Sequence, residues 1–151
     1  QMAAGLVDLG LFKGSAQDLV ERDAHALFFP HGLGHMLGLS THDAGGCLAG
    51  RAPSDRFGRT WRRADLPLQP GYVVTIEPGI YFIKALLDDP SRRRDFADCV
   101  EWSKVDALRE FGGIRIEDDV LITESGSEVL TAGIPKTIPE IETLRAQAFD
   151  S

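Results

Sequence analysis

The sequence has few cysteines, no excess of positive charge and no long apolar run. Its two cysteines, Cys47 and Cys99, form neither a C-x-x-C pair nor the dense spacing of a disulfide scaffold, so a reducing, cytosolic environment is favoured. The net charge of -7 argues against nucleic acid or an anionic membrane as a partner, because both require a basic face. No apolar segment is long enough to span a bilayer, and the N-terminus lacks a signal-peptide pattern.

The composition is that of one globular domain. A chain of 151 residues with 43% hydrophobic and 26% charged positions can bury a substantial core. Its first residue is Gln1 rather than Met, so we expect it to begin partway through a longer protein.

A capped helix is predicted before the stretch that holds most of the histidines. Ser15, three positions before Asp18, has the spacing of an N-cap, and the helix must stop before Pro30 because the residue preceding a proline disfavours the α region. The apolar positions of this helix are Leu19, Val20, Ala24 and Leu27. The chain from His31 begins as a loop, and residues 44–68, which lack a clear period, predict another.

The second half of the chain alternates extended and helical patterns. A strand around Val73 is interrupted at Pro78–Gly79. One face of this strand carries Val73, Thr75 and Glu77, and the other carries Val74 and Ile76.

The remaining segments predict a surface helix, a hairpin and a C-terminal helix. Residues 88–111 are rich in charge and predict one inserted surface helix. Its apolar stripe consists of Phe96, Val100 and Leu108. Residues 112–131 predict two strands joined at Glu124–Ser127, and Thr137 and Glu140 have the spacing of a capping box.

Three of the four histidines lie in the stretch HGLGHMLGLSTHD, from His31 to Asp43. His31 and His35 are four residues apart, as in the zinc motif H-E-x-x-H, but no Glu follows His31, and Gly32 and Gly34 make a helix costly there. A single histidine is more often an ordinary hydrogen-bonded residue than a ligand. Three in a glycine-rich loop favour a functional interpretation, because glycine permits close backbone approach and histidine titrates near neutral pH.

Two glutamates on predicted strands strengthen that interpretation. Glu77 lies among apolar residues in VVTIEPG, where an ionised carboxylate is costly unless it is paired or bound to metal. Glu117 is expected to be buried in the same way, with Arg115 on the same face of its strand to stabilise it. The alternative for each glutamate is an ordinary ion pair at a strand end. Together with a histidine they form a mixed oxygen and nitrogen ligand set, which suits Mn, Co or Fe as well as Zn.

Three motifs of the chain resemble those of the pita-bread metallopeptidases, which include prolidase, aminopeptidase P, methionine aminopeptidase and creatinase. These motifs are PHGLGHMLGLSTHD, LQPGYVVTIEPGIYF and GGIRIEDDVLIT. The resemblance extends furthest to the prolidases, through ALFFPHGLGH, YFI and KTIPEIE, and covers nearly the whole chain. It implies an α+β fold, the C-terminal half of a pita-bread fold, with an antiparallel curved sheet and covering helices.

The resemblance also implies a metal centre. His35, Glu77 and Glu117 match metal ligands for two divalent ions, with Mn favoured and Co, Zn or Fe as alternatives. Glu117 would bridge the two ions, and Glu77 would also take the proton of the bridging water. His42 matches the histidine that contacts the scissile carbonyl, and Arg115 matches the arginine beside the bridging glutamate, so Glu77, His42 and Arg115 are the implied catalytic residues.

The implied substrate is a dipeptide with a C-terminal proline. His31 matches a histidine that lines the substrate pocket, and His42 also contacts the substrate. Arg63 matches the arginine that binds the free carboxylate of the dipeptide, with Arg62 as the neighbouring possibility.

The family draws five protein ligands from two halves of the fold, and two of them are aspartates in an upstream half. No segment of this chain matches that half. Residues 1–151 are therefore expected to be the C-terminal portion of the catalytic domain, without the upstream half and the N-terminal domain. The implied partners are that upstream half and a second copy in a homodimer, and the implied location is the cytoplasm.

Two alternatives to a prolidase are open. Aminopeptidase P shares the histidine and glutamate motifs but acts on longer peptides with proline second, and so has no need of a carboxylate clamp. A non-catalytic binding module on the same scaffold is the other. Retention of His35, His42, Glu77 and Glu117 argues against the module, because a scaffold without metal has no physical reason to keep costly carboxylates.

Overall fold

The computed structural model describes residues 1–46, 52, 54–60 and 63–149; Cys47 and Arg62 lie outside them. The helices are α1 (Met2–Asp8), α2 (Ala16–Glu21), α3 (Lys84–Leu87), α4 (Pro90–Asp95), α5 (Trp102–Ala107) and α6 (Ile138–Phe149), with a 3₁₀ turn at Ala24–Leu27. The strands are β1 (Val73–Ile76), β2 (Gly79–Tyr81), β3 (Gly113–Arg115), β4 (Asp118–Thr123) and β5 (Gly126–Val129). This is the expected α+β class. Within the described ranges, no helix is both long and apolar enough to cross a membrane.

The strands form two antiparallel sheets, with the orders β1-β4-β5 and β2-β3. The predicted interruption at Pro78–Gly79 is confirmed, and a matching interruption between β3 and β4 divides what was predicted as one strand. The register is the same on both sides of the gap, since Ile76 pairs with Asp118 and Gly79 pairs with Arg115. Pro78 has no N–H to donate, which favours a break in the ladder at this point.

The first predicted helix is correct at its start and wrong at its end. The Ser15 hydroxyl accepts a hydrogen bond from the Asp18 amide at 3.1 Å, as an N-cap should. The helix ends at Glu21 rather than continuing towards Pro30, because Asp23 has a left-handed backbone with φ 59°. The residues after Asp23 form the separate 3₁₀ turn.

Residues 88–111 are not one surface helix. The helices α4 and α5 are separated by a segment in which Val100 forms a β-bridge with Phe12. The Lys13 amide donates to the Cys99 carbonyl at 2.8 Å, which fixes this segment against the N-terminal part of the chain. Phe96, Cys99, Val100 and Val105 are buried in the core. Tertiary pairing has therefore overridden the local helical pattern.

The C-terminal elements follow the prediction closely. The hairpin of β4 and β5 turns at Glu124 and Ser125, two residues tighter than predicted. Thr137 and Glu140 form the predicted capping box, in which the Thr137 amide donates to the Glu140 carboxylate at 3.0 Å and the Glu140 amide donates to the Thr137 hydroxyl at 3.4 Å.

The apolar core lies between the N-terminal helices and the segments around α3 to α5. Its larger members include Leu6, Phe12, Leu19, Leu27, Phe28, Phe82, Leu87 and Val105. The Phe28 ring packs edge-on against Phe12 and Phe82, with centroid distances of 5.4 Å in both cases. The Phe28 carbonyl also accepts from the Tyr81 amide at 2.9 Å. The chain that enters the histidine loop is thus fixed to the core and to β2.

Candidate metal centre

The histidine stretch is a loop, as predicted, and it pairs with the edge of β1. The Thr75 amide donates to the His35 carbonyl at 2.9 Å. The Glu77 amide donates to the Leu33 carbonyl at 2.8 Å. Gly34 is required between them, because a Cβ at this position would lie 1.8 Å from the Thr75 carbonyl oxygen. The pairing places the His35 imidazole beside the carboxylate of Glu77.

His35, Glu77 and Glu117 come together at the gap in the sheets. Each offers one ligand atom, and these atoms all lie within 4.8 Å of one another. The His35 side chain is buried and Glu77 has 12% of its side chain exposed, with 3.4 Å between His35 Nε2 and Glu77 Oε1. The expectation that Glu117 is buried was wrong, since 37% of its side chain is exposed. Both glutamates lie in the gap between strands rather than within a strand. The Glu117 side chain is therefore partly exposed to solvent.

This arrangement is suited to a cation. The shared register sets Glu77 opposite Glu117, and like charges directly opposite each other destabilise a sheet. Arg115 offsets part of this repulsion, with its guanidinium 3.2 Å from Glu117 and 3.8 Å from Glu77. The His35 Nδ1 lies 3.0 Å from the Met36 carbonyl, which can only accept, so Nδ1 donates to it and Nε2 is the ring nitrogen that faces Glu77. A backbone carbonyl that fixes the tautomer in this way is typical of histidines that bind metal.

Thr75 links two of these residues. Its hydroxyl accepts from the His35 amide at 2.9 Å and donates to Glu77 Oε1 at 3.2 Å. The alternation of the strand predicted that Thr75 and Glu77 share a face, but the bridge to His35 requires a partner 40 positions away in the sequence.

The other predicted site residues converge on the same place. A cleft of about 270 Å³ is lined by His31, Gly32, Gly34, His35, His42, Arg63, Glu77 and Arg115. The His42 ring lies against the His35 ring, with 4.4 Å between their centroids. Of the seven residues predicted for the site, six line this cleft, and Glu117 adjoins it through Arg115.

Arg63 is fixed in the cleft by its backbone. Its carbonyl accepts from the Gly46 amide at 2.7 Å, and a Cβ on Gly45 would lie 2.3 Å from the same oxygen. The Arg63 side chain is exposed to the cleft. The neighbouring possibility, Arg62, lies outside the described residues.

Tyr81 is a site residue that the sequence analysis missed. Its hydroxyl lies 3.0 Å from His31 Nε2. His31 Nδ1 lies 2.8 Å from the Gly32 carbonyl and donates to it, which leaves Nε2 to contact Tyr81. Contact with the Tyr81 hydroxyl, together with the nearby carboxylates of Glu117 and Glu77, raises the pKa of Arg115 above its ordinary value. Tyr81 therefore connects His31 to the arginine between the two glutamates.

The sequence did carry one signal for Tyr81. Gly79 lies directly beneath the tyrosine ring, and a Cβ there would be 2.4 Å from the hydroxyl oxygen. A glycine two residues before a tyrosine on a strand puts both on the same face, but the partner His31 is 50 positions away.

The chain resembles known peptidases in sequence and in structure. A family model described as metallopeptidase family M24 matches residues 6–124. The chain is 44% identical over 145 residues to the Xaa-Pro dipeptidase of Homo sapiens, covering 93% of this chain and 28% of that protein. It is 47% identical over 133 residues to the Xaa-Pro dipeptidase of Stenotrophomonas maltophilia (strain R551-3), covering 83% of this chain and 29% of that protein.

Two solved structures show the same arrangement of elements. Zn-substituted aminopeptidase P of E. coli in complex with product is 39% identical, with a TM-score of 0.65, over 97% of this chain and 27% of that one. Aminopeptidase PepP of Pseudomonas aeruginosa is 38% identical, with a TM-score of 0.65, over 99% of this chain and 27% of that one. The chain therefore spans less than a third of the length of the proteins it matches.

Proposed function

Because the chain belongs to metallopeptidase family M24 and has the C-terminal half of its pita-bread fold, we propose that it supplies part of the active site of a metal-dependent peptidase that hydrolyses Xaa-Pro dipeptides. The observation that carries this proposal is the convergence of His35, Glu77 and Glu117 beside a cleft that is lined by the predicted substrate residues. The two Xaa-Pro dipeptidase relatives support the choice of substrate.

We propose that the metal centre is dinuclear, with Mn favoured and Co, Zn or Fe as alternatives. One imidazole and two carboxylates are a donor set that suits these ions. Three residues are too few to hold two ions, so further ligands must come from elsewhere. In line with the family resemblance, we assign these to two aspartates in an upstream half of the catalytic domain, outside this chain.

The chemistry follows from the placement of the side chains. When bound, two divalent ions supply an activated water and polarise the substrate carbonyl. Glu77 is positioned to accept a proton at its carboxylate, and the Thr75 hydroxyl holds that carboxylate through Oε1 at 3.2 Å. His42 lies beside His35 on the wall of the cleft, where its imidazole can donate to an oxygen that gains negative charge. Arg115 remains charged and holds both glutamates in register.

Arg63 is assigned to the carboxylate of a dipeptide. It is a cation on the wall of a cleft that also contains the candidate metal ligands, so it can bind one end of a short substrate while the peptide bond lies at the other. An arginine fork matches a carboxylate in two parallel hydrogen bonds. This clamp would limit substrates to those that end at the proline.

Replacing Arg63 by Ala is expected to raise KM for Ala-Pro by roughly 10- to 100-fold, since a hydrogen bond to a charged group contributes about 1.5–3 kcal/mol. Steady-state kinetics with Ala-Pro and with Ala-Pro-Ala measure the effect. Cleavage of the tripeptide should change little. If the enzyme instead has the activity of aminopeptidase P, the relative of known structure, the opposite result is expected. The Arg63→Ala variant would then have an unchanged KM for Ala-Pro, and the enzyme would cleave the tripeptide in preference to the dipeptide.

Replacing Tyr81 by Phe is expected to lower kcat/KM for Ala-Pro by about 3- to 10-fold, in line with the loss of a hydrogen bond worth about 0.5–1.5 kcal/mol. The ring would still pack over Gly79, so the melting temperature should stay the same. His31 would lose the hydrogen-bond partner of its Nε2 and Arg115 would lose a contact. Unaltered kinetics in a folded Tyr81→Phe protein would remove Tyr81 from the site.

Metal-dependent stability separates a peptidase from a non-catalytic module. Binding to the folded state alone at 100 times Kd raises the free energy of unfolding by about 2.7 kcal/mol, so Mn²⁺ should raise the melting temperature, and Glu117→Gln should reduce this rise. Without metal, Glu117→Gln should leave stability equal or higher, because it removes one of two facing charges. In an enzyme that includes the proposed upstream half, a melting temperature that Mn²⁺ does not change, together with no release of proline from Ala-Pro or Gly-Pro, would favour the binding module.

We further propose a homodimer in the cytoplasm, with neither nucleic acid nor a membrane as a partner. The net charge of -7 supports the last point, and the family resemblance supports the dimer.

A further inference from the structure

We propose that Asp23, bound by Arg56 and Arg59, is a positioning residue for Arg63 and thereby sets the affinity for the substrate carboxylate. This inference rests on the proposed function and adds to it a cluster of charges outside the cleft. The cluster joins the turn after α2 to the segment of chain that leads to Arg63.

The Asp23 carboxylate is the fixed end of this cluster. Asp23 is buried, with 7% of its surface exposed, and it accepts from Arg56 Nε at 2.7 Å and from Arg59 Nε at 3.2 Å. Arg56 also donates from Nη2 to the carbonyl of Glu21 at 2.8 Å, at the end of α2. A carboxylate with so little exposure needs charged partners, and here both partners come from one turn far along the chain.

Two further contacts hold the same turn. Gly58 has a left-handed backbone with φ 74°, and a Cβ there would lie 2.3 Å from the Ala26 side chain, so the turn packs directly on the 3₁₀ turn. Phe57 packs against the core, and the Arg92 guanidinium lies over its ring at 3.7 Å. The turn at residues 56–60 therefore belongs to the rigid part of the protein.

Arg63 follows this turn by three residues, and its own carbonyl accepts from Gly46 at 2.7 Å. The backbone is thus held at the turn and again at Arg63 itself; residues 61 and 62, between them, lie outside the described part of the chain. Its guanidinium lies on the exposed wall of the cleft. An exposed arginine on a loosely held loop loses conformational entropy when substrate binds, which weakens binding. An arginine on a loop that is already held in place has lost that entropy on folding.

The test compares substrates with and without the group that Arg63 is assigned to bind. The variants are the double substitution Arg56→Met with Arg59→Met, and Asp23→Asn, which keeps a residue that tolerates a left-handed backbone. Arg22→Met is the matched control. Arg22 is the residue next to Asp23, but it forms its ion pair with Asp98, at 2.8 Å. Kinetics of the intact Mn-loaded enzyme are measured with Ala-Pro and with Ala-Pro amide, and hydrogen exchange is measured over the turn at residues 56–60.

The double variant and Asp23→Asn are expected to raise KM for Ala-Pro roughly tenfold, with kcat within about twofold and with no change in KM for the amide. Backbone amides over the turn at 56–60 should exchange faster, and Arg22→Met should change none of these quantities. Equal effects on both substrates, or an unchanged KM for Ala-Pro in a variant whose loop exchanges faster, would overturn the inference while leaving the peptidase intact. If the unaltered enzyme cleaves neither substrate, the proposed function itself fails, and this inference fails with it.

Discussion

Replacing Glu77 by Gln is expected to lower kcat for Ala-Pro by roughly 10²- to 10⁴-fold, the range for loss of a general acid–base group, in a protein that keeps its fold. The amide has nearly the shape of the carboxylate, and its carbonyl can still accept from the Thr75 hydroxyl. It cannot take a proton from water, and it removes one of the two negative charges that face each other in the gap. Metal affinity should also fall, because a neutral oxygen is a weaker ligand than a carboxylate.

The measurements for Glu77→Gln are kcat with saturating Ala-Pro and Mn²⁺, and Kd for Mn²⁺ by calorimetry. Glu128→Gln is the matched control, since Glu128 is an exposed glutamate on β5 away from the cleft, and it should leave both quantities unchanged. A Glu77→Gln protein with ordinary kcat at saturating metal would show that Glu77 neither takes the proton nor holds the metal.

Replacing Gly34 by Ala is expected to disrupt the centre through the backbone. The new Cβ would lie 1.8 Å from the Thr75 carbonyl oxygen, and a backbone atom cannot move aside as a flexible side chain can. The histidine loop must therefore separate from β1, breaking the hydrogen bonds at Thr75 and Glu77 and moving His35 away from the two glutamates. Overpacking of this kind costs about 1–3 kcal/mol or more.

For Gly34→Ala we expect a lower melting temperature, a loss of the increase that Mn²⁺ produces and no measurable hydrolysis of Ala-Pro. Gly126→Ala is the control, because Gly126 also lies in the antiparallel sheet region and a Cβ there meets nothing within 4 Å. If Gly34→Ala retained full stability and full metal binding, the loop would not be held against β1 as described.

The parts of the fold that the sequence predicted depend on local patterns. The Ser15 cap, the break at Pro78–Gly79 and the Thr137 capping box each involve residues within a few positions, and all three are present. In the same way, the alternation of β1 correctly put Thr75 and Glu77 on one face.

The errors in the predicted fold have non-local causes. The first helix stops at Glu21 because Asp23 has a left-handed backbone, and its carboxylate is held by arginines more than 30 positions away. The charged segment around Val100 is buried rather than exposed because it pairs with Phe12. No window of sequence around either residue contains those partners, so periodicity alone favoured a continuous helix in both places.

The candidate site was largely predictable, although its geometry was not. The motifs identified His35, Glu77 and Glu117, and the structure brings them together. The burial of Glu117 was overestimated because the break between β3 and β4 was not visible in the sequence. Tyr81 was missed because its partners, His31 and Arg115, lie 50 and 34 positions away along the chain.

The most direct test of a metal centre at the gap in the sheets is anomalous diffraction from crystals of the Mn-loaded enzyme at the manganese edge. We predict two anomalous peaks close together, with His35 Nε2 and the carboxylates of Glu77 and Glu117 at coordination distance, and Glu117 in contact with both. Catalytically active crystals in which manganese binds elsewhere, with these three side chains making no contact to it, would contradict the account.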